Sequence, residues 1–443
     1  MATETKLVHR PANADSYPPS WSWYLLDDVC DGVVDCPHTT PVLTDCGPFV
    51  VRSQDIRSGI FRSEAAACVS ESTYGQRIAR AEPTHGDLLY SREGTYFGIA
   101  AEVPEGVRVC LGQRMVLIRP RSSVVDFRYL KYWLNSPTIV AFIGGFRDGS
   151  VAERLNLPTI RALPVIVPPL AHQRRIADVL GALDDRIELN RCVSRTLDCI
   201  VSAIFRSWFI DFDPVHNKMN GGRLGLPPVL AALFPESMSG ASEAEHPEGW
   251  KWGRMGQLAN ERSERVGTSN DAVVLSAVSS GHLVRSDEHF TKRVYSKDVG
   301  QYKVVLKNDF AYNPSRINIG SVGLLHDDVV GAVSPVYVVF SPKPGYQHFI
   351  DFYLRQATTR HWIAQLSSGS VRQSLSYRDL ASIPVIIPSG KVVAAFNALV
   401  VKMRLTVSAL RAESSTLAAL RDELLRKLTG GQVGLDATGR STP

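Results

Sequence analysis

The chain reads GSVAERLNLPTIRALPVIVPP at residues 149–169 and GSVRQSLSYRDLASIPVIIPS at residues 369–389. At one fixed offset and without gaps, the two stretches share Gly149/Gly369, Ser150/Ser370, Val151/Val371, Leu155/Leu375, Pro164/Pro384, Val165/Val385, Ile166/Ile386 and Pro168/Pro388. Each ends in a short β-type run closed by proline. Proline removes a donor and restrains its neighbour, so the run predicts a strand that stops before whatever follows.

The same offset extends outward. RYLKYWLNSPTIVAFIGGF (128–146) lies over HFIDFYLRQATTRHWIAQL (348–366), with Tyr129 opposite Phe349, Tyr132 opposite Phe352 and Trp133 opposite Tyr353. Apolar residues return at three- and four-residue steps, which predicts an amphipathic helix used twice. Further upstream the match needs small gaps: HGDLLYSREG (85–94) resembles KNDFAYNPSR (307–316), and PSWSW (19–23) resembles PEGWKW (247–252).

Downstream, each copy runs into a long stretch without proline, 170–210 in the first and 391–429 in the second. Ile176, Leu180, Leu183, Ile187, Asn190, Ser194, Leu197, Val201, Ile204 and Trp208 alternate at steps of four and three. Phe396, Val400, Met403, Val407, Leu410, Ser414, Leu417, Arg421, Leu424 and Leu428 repeat them at the same offset. A 3.5-residue apolar period held over about four heptads predicts a coiled-coil seam. Each helix would be ~60 Å long, and each stripe is the obvious cover for the other. Asn190, Ser194, Ser414 and Arg421 are polar interruptions, which in a seam set register at some loss of stability.

The expected fold is α+β: two tandem domains separated by two long helices, packed as an antiparallel coiled coil with pseudo-two-fold symmetry. Expected boundaries are residues 1–168 and 247–388 for the domains, 169–211 and 389–429 for the helices, 212–246 for a linker, and 430–443 for a disordered tail.

The chain has 443 residues, 44% hydrophobic and 21% charged, which suits two or three globular domains. No apolar run approaches the ~20 residues of a membrane span, and the segment 1–19 lacks a signal-peptide pattern. Net charge is +5, which permits a nucleic-acid partner without demanding one. Seven cysteines include no C-x-x-C pair; Cys30, Cys36 and Cys46 lie near His38 but fit no common zinc spacing, so no metal is expected. No [DNS]-P-P-[FYW] element for a flipped base, no Walker A motif and no strand-borne glycine loop is present; NPSR (313–316) is the nearest text to the first.

Two similar domains set at a fixed distance match the two-fold symmetry of duplex DNA. At this point a resemblance carries further. LNLPTIRALPVIVPPLAHQRRIADVLGALDDRIELN (155–190), running into IFRSWFIDFDPV (204–215), with GDLL (86–89), VRSQDIRSG (51–59) and CLGQRM (110–115), resembles the specificity subunits of type I restriction–modification systems. Gln173 opening the helix is part of that wording; the second copy, PSGKVVAAFNALVVKM (388–403), lacks it. The resemblance covers essentially the whole chain. It implies that the two tandem domains are target-recognition domains, with no catalysis and no cofactor in this chain. It implies double-stranded DNA as the ligand, two methyltransferase subunits carrying S-adenosylmethionine, ATP- and Mg-dependent restriction subunits, no membrane and a cytoplasmic location. The competing expectations are a self-contained methyltransferase or nuclease, and a coiled-coil adaptor with no DNA role.

Base reading needs polar and basic side chains on loops. The candidates are His38, Thr39, Arg52, Arg92, Arg147 and Ser150 in the first copy. In the second they are Arg262, Arg265, Lys292, Arg293, Asn313, Arg316, Asn318, Ser370, Arg372 and Gln373, with NPSRINIGS (313–321) the strongest segment. Val179, Phe205, Phe209, Leu399, Leu420 and Leu425 are candidate helix-face anchors for methyltransferase subunits.

Overall fold

The computed structural model describes the chain except residues 1–10, 12–13, 95, 145–153, 223–224, 241–244, 269–271, 280, 290–295, 297–298, 368–373, 432–433, 436–440 and 443. Its helices are α1 (Glu71–Arg77), α2 (Phe127–Leu134), α3 (Pro137–Gly144), α4 (Leu157–Arg161), α5 (Leu170–Phe209), α6 (Asp213–Met219), α7 (Pro228–Ala231), α8 (Ser286–His289), α9 (Gln347–Leu354), α10 (Ala357–Leu366), α11 (Tyr377–Ser382) and α12 (Gly390–Thr429). The chain forms two compact units, Met1–Arg191 with Arg411–Pro443, and Cys192–Leu410. It passes between them twice, once inside α5 and once inside α12.

The first unit holds an antiparallel sheet ordered Cys30–Asp35, Met115–Pro120, Leu88–Ser91, Ala100–Glu102. Beside it, Leu43–Val51 pairs antiparallel with Ala67–Val69 and parallel with Val109–Leu111. The second unit repeats the plan: Ala259–Arg262, Val338–Pro342, Phe310–Tyr312, Val322–Leu324 in one sheet. In the other, Val273–Val278 pairs parallel with Gly331–Val333 and antiparallel with His282–Arg285, and Gly331–Val333 also pairs antiparallel with Lys303–Val305, a fourth strand without a counterpart among the described residues of the first unit's sheet. In both units the strands are short and the pairing is largely non-local, so turn chemistry and burial, rather than alternation, set the register.

The proline-closed runs are strands, and they have the same task twice. Pro164–Val167 pairs with Ser22–Leu25, and Pro384–Ile387 pairs with Lys251–Arg254. Each clasp ties the start of one of the expected domains (1–168 and 247–388) to its end, just before a long helix. The indole of Trp133 donates to the Pro164 carbonyl at 2.8 Å, and the Tyr353 hydroxyl donates to the Pro384 carbonyl at 2.7 Å. The same bond is thus kept in both copies of the repeat with a different donor.

Within each unit the two long helices lie antiparallel. In the first, Ile176 and Leu180 share a core with Leu425 and Leu428, and Asn190 donates to Ser414 at 3.3 Å. In the second, the Phe205 ring lies 5.5 Å from Phe396, against Phe209, Phe349 and Phe352. Every residue assigned to the seam (Ile176, Leu180, Leu183, Ile187, Asn190, Leu197, Val201, Ile204, Phe396, Val400, Met403, Val407, Leu410, Leu417, Leu424, Leu428) is buried or half-buried. By length and composition α12 would also suit a membrane span. Lys402 and Arg404 interrupt its apolar run in the sequence. Phe396, Val400 and Val407 are buried within the protein itself, whereas Val401 and Leu405 are exposed.

Two expectations change. Phe205, Phe209 and Leu425 are core residues rather than free anchors, whereas Leu420 is exposed. The tail expected to be disordered contains a short antiparallel pair, Gly434–Leu435 with Ser441–Thr442.

Gln173, the residue the second helix lacks, has a structural task. It is fully buried and donates to the carbonyls of Val124 (3.0 Å) and Pro168 (2.8 Å), while its oxygen accepts from the Asp126 amide (2.8 Å). It satisfies backbone groups at the junction of domain and helix. Val393, its counterpart in the second copy, fills the corresponding place with apolar burial.

Candidate nucleic-acid interface

In the first unit the strand Cys30–Asp35 leads into the loop 36–42, which exposes His38, Thr39 and Thr40. Arg77, at the end of α1, is buried beneath this loop. Its guanidinium donates to the Leu111 carbonyl at 2.6 and 2.8 Å, to Thr39 O at 3.1 Å and to Pro37 O at 3.3 Å. Gln113 donates to His38 O at 3.0 Å. Three successive loop carbonyls are therefore held by side chains of the unit, and the loop presents His38, Thr39 and Thr40 outward. Neither Arg77 nor Gln113 is distinctive in sequence: both read as ordinary polar surface residues.

Arg92, expected at the surface, is 5% exposed; its guanidinium sits 3.0 Å from Asp35, which also lies 3.4 Å from the His38 ring. A charge so buried and paired supports the base of the loop. Arg52 is likewise engaged, with a bidentate pair to Asp55 at 2.9 and 3.1 Å that closes the turn Ser53–Asp55.

In the second unit, loop 313–321 joins the strands Phe310–Tyr312 and Val322–Leu324. The corresponding hairpin of the first unit joins Leu88–Ser91 to Ala100–Glu102 and contains SREGT. The two loops singled out by composition are thus the same turn of the repeated fold. In the second unit it stands open: Arg316, Asn318 and Ile319 are exposed. Asn313 accepts from the Ser315 amide at 3.1 Å, and a 3₁₀ turn Ile317–Ile319 ends at Gly320, with φ 89°. A Cβ there would fall 2.6 Å from the Ser279 carbonyl, so the loop's close seat requires glycine.

This loop lines a cleft of ≈ 410 Å³ together with Ser279, Gly281, Arg355 and Arg360. Arg360, exposed on α10, adds cationic character to it, while Arg355, just past the end of α9, is paired with Asp351 (2.8 Å), which also lines the cleft. Nothing in the sequence marked them, because helix position alone does not say which turn a side chain faces. Arg262 is held by Asp309 (2.9 Å) and Glu264 (3.0 Å), and exposed Arg265 donates to Gln301. Arg147, Ser150, Lys292, Arg293, Ser370, Arg372 and Gln373 lie outside the described residues. Among the described residues, no cluster of His, Cys, Asp and Glu is arranged to hold a metal ion.

Residues 75–197 match the family model described as the type I restriction modification DNA specificity domain. The HindI specificity subunit of Haemophilus influenzae is 23% identical over 404 residues, covering 79% of this chain and 86% of that protein. The MjaIX specificity subunit of Methanocaldococcus jannaschii is 23% identical over 389 residues, covering 85% and 84%. The S subunit of a type I restriction-modification system from M. genitalium has the same fold, with a TM-score of 0.51, 14% identity, and coverage of 92% of this chain and 96% of that one.

Proposed function

We propose that the chain is a specificity subunit of a type I restriction–modification system, as its match over residues 75–197 and its relatives support, and that it reads a bipartite DNA target with one recognition unit per half-site. The observation that supports this most is the repetition itself. Two units keep one strand plan, one clasp and one domain–helix junction, while their exposed loops differ in sequence. A shared frame carrying different loops suits two half-sites of different sequence.

In this reading His38, Thr39 and Thr40 read the first half-site, and Arg316 and Asn318 read the second. Arg360 supplies charge toward phosphate oxygens. The chain contributes recognition and assembly. Adenine methylation belongs to two partner methyltransferase subunits that bind S-adenosylmethionine, and ATP- and Mg-dependent cleavage belongs to restriction subunits, all in the cytoplasm.

Mapping methylated adenines across the host genome, with and without this gene, tests the proposal. The expected result is one bipartite motif, modified on both strands, that vanishes with the gene. Methyl transfer from labelled S-adenosylmethionine to DNA by the purified chain alone would overturn it.

A further inference from the structure

The two domain–helix junctions are alike in their apolar residues and opposite in their charges. In the first unit, α2 of the recognition fold meets α5 through Lys131, which is 4% exposed, and Asp184 at 3.9 Å. Glu102 lies 3.6 Å from the same ammonium. Tyr132 donates to Asp184 at 2.7 Å, and Arg421 pairs with it at 2.8 Å. In the second unit, α9 meets α12 through Asp351, also 4% exposed, and Arg404 at 2.6 Å. Arg355 pairs with Asp351 at 2.8 Å, and Arg404 donates to the His326 ring at 2.7 Å.

These are equivalent positions. Lys131 and Asp351 stand at the repeat offset, as do Asp184 and Arg404. Both are embedded in runs whose flanking residues align at that offset: Leu130 with Ile350, Tyr132 with Phe352, Leu183 with Met403 and Ile187 with Val407. The cation sits on the domain and the anion on the helix in one unit; the order is reversed in the other. The neighbours follow. The hydroxyl that Tyr132 offers to Asp184 is deleted in Phe352. Glu102 is paired with Leu88, and its counterpart, paired with Phe310, is the apolar Leu324. Arg128, 3.4 Å from Glu102, is replaced by His348.

A duplicated fold faces a docking problem. Ile176 and Leu180 on α5 and Phe396 and Val400 on α12 offer similar apolar surfaces, and apolar burial is non-directional. A buried ion pair adds little net stability over an apolar pair, but a buried mismatch is strongly unfavourable. We propose that the inverted pair is a docking key. It directs a recognition fold with a cation at the Lys131 position to α5, and one with an anion at the Asp351 position to α12. The exchanged pairing would set Lys131 against Arg404 and Asp351 against Asp184. The key also limits which foreign recognition domain this chain's helices accept.

The test uses the full-length chain without DNA, so its result is separate from the reading of DNA proposed above. Asp351→Lys or Arg404→Asp alone should lower the Tm of the second unit by roughly 10 °C. Asp351→Lys with Arg404→Asp restores opposite charges in the first unit's polarity and should recover at least half of that loss. Losses that simply add would overturn the key. A second variant replaces residues 247–388 with another copy of residues 19–168, setting a lysine against Arg404. Arg404→Asp should raise the Tm of that chimera by several degrees; no gain would overturn the assignment.

Discussion

At the scale of single residues, buried polar groups of this chain hold loops in place. Arg77 satisfies the carbonyls of Pro37, Thr39 and Leu111 from beneath the loop. Arg77→Met keeps the aliphatic volume but strands those carbonyls. The loss should be about 2–3 kcal/mol in urea unfolding of the first unit, with methylation mapping showing relaxed choice at the first half-site and an unchanged second. A half-site that stays sharp in that variant would remove the loop from the reading surface. His348 gives a second expectation. Burial first, then the nearby Arg404, holds its imidazole neutral, with a pKa lowered from 6.5 to about 4; its Nδ1 has no hydrogen-bond partner. The folded state therefore binds its proton later than the unfolded state does. Stability is full above about pH 6.5 and falls as pH drops from 6.5 toward 4, by up to about 3 kcal/mol. His326 beside it, lowered from 6.5 to about 3 by burial and then Arg404, adds to the loss over the same window in wild type and variant alike. Denaturation midpoints for wild type and His348→Gln should diverge between pH 7 and pH 5, the variant showing the flatter profile.

At the scale of elements, what was legible and what was not divide along physical lines. The long helices and their stripes could be read because one period ran through many turns, and the clasp strands because proline ended them twice. The sheets could not be ordered from short strands whose partners lie far away in sequence, such as Phe49 beside Val109. Loop composition picked out the hairpin at 313–321, but it also picked Arg92, since a charged residue between a serine and a glutamate gives no sign of burial. Arg77, Gln113 and Arg360 were missed because their significance lies in what they face. The polar step in the seam was legible and carries its own expectation. Asn190 is buried and donates to Ser414. Asn190→Ala alone removes the bond to Ser414 and should destabilise the first unit by about 1 kcal/mol, whereas Asn190→Leu with Ser414→Ala removes both polar groups and should equal or exceed wild-type stability. A double variant weaker than the single in urea titration would mean that the pair stabilises the helix contact outright rather than setting its register.

At the scale of the whole molecule, neither compact unit is a continuous segment of the recognition fold alone. The first takes the chain from Arg411 onward, and the crossings fall at 191/192 and 410/411, positions that the repeat offset relates almost exactly in register. Leu425 and Leu428 of α12 are buried in the core that also holds Trp133 and Ile176. The second half of α12 therefore completes the unit that begins the chain. If the helices set the distance between half-sites, their length between the crossing points is the variable to change. One heptad inserted at both crossings adds about two turns to each helix, about 10 Å of rise, and keeps the apolar stripes in phase. Such a chain should fold, assemble with its methyltransferase partners and methylate the same two half-sites with a gap about three base pairs longer, at about 3.4 Å per pair. The same insertion in α5 alone leaves α12 out of register, strands Asn190 or its partners and should lower the Tm of the chain with loss of methylation. Mapped methylation sites check both variants. A matched insertion that folds and keeps the original gap would show that the spacing is set elsewhere than in the helices.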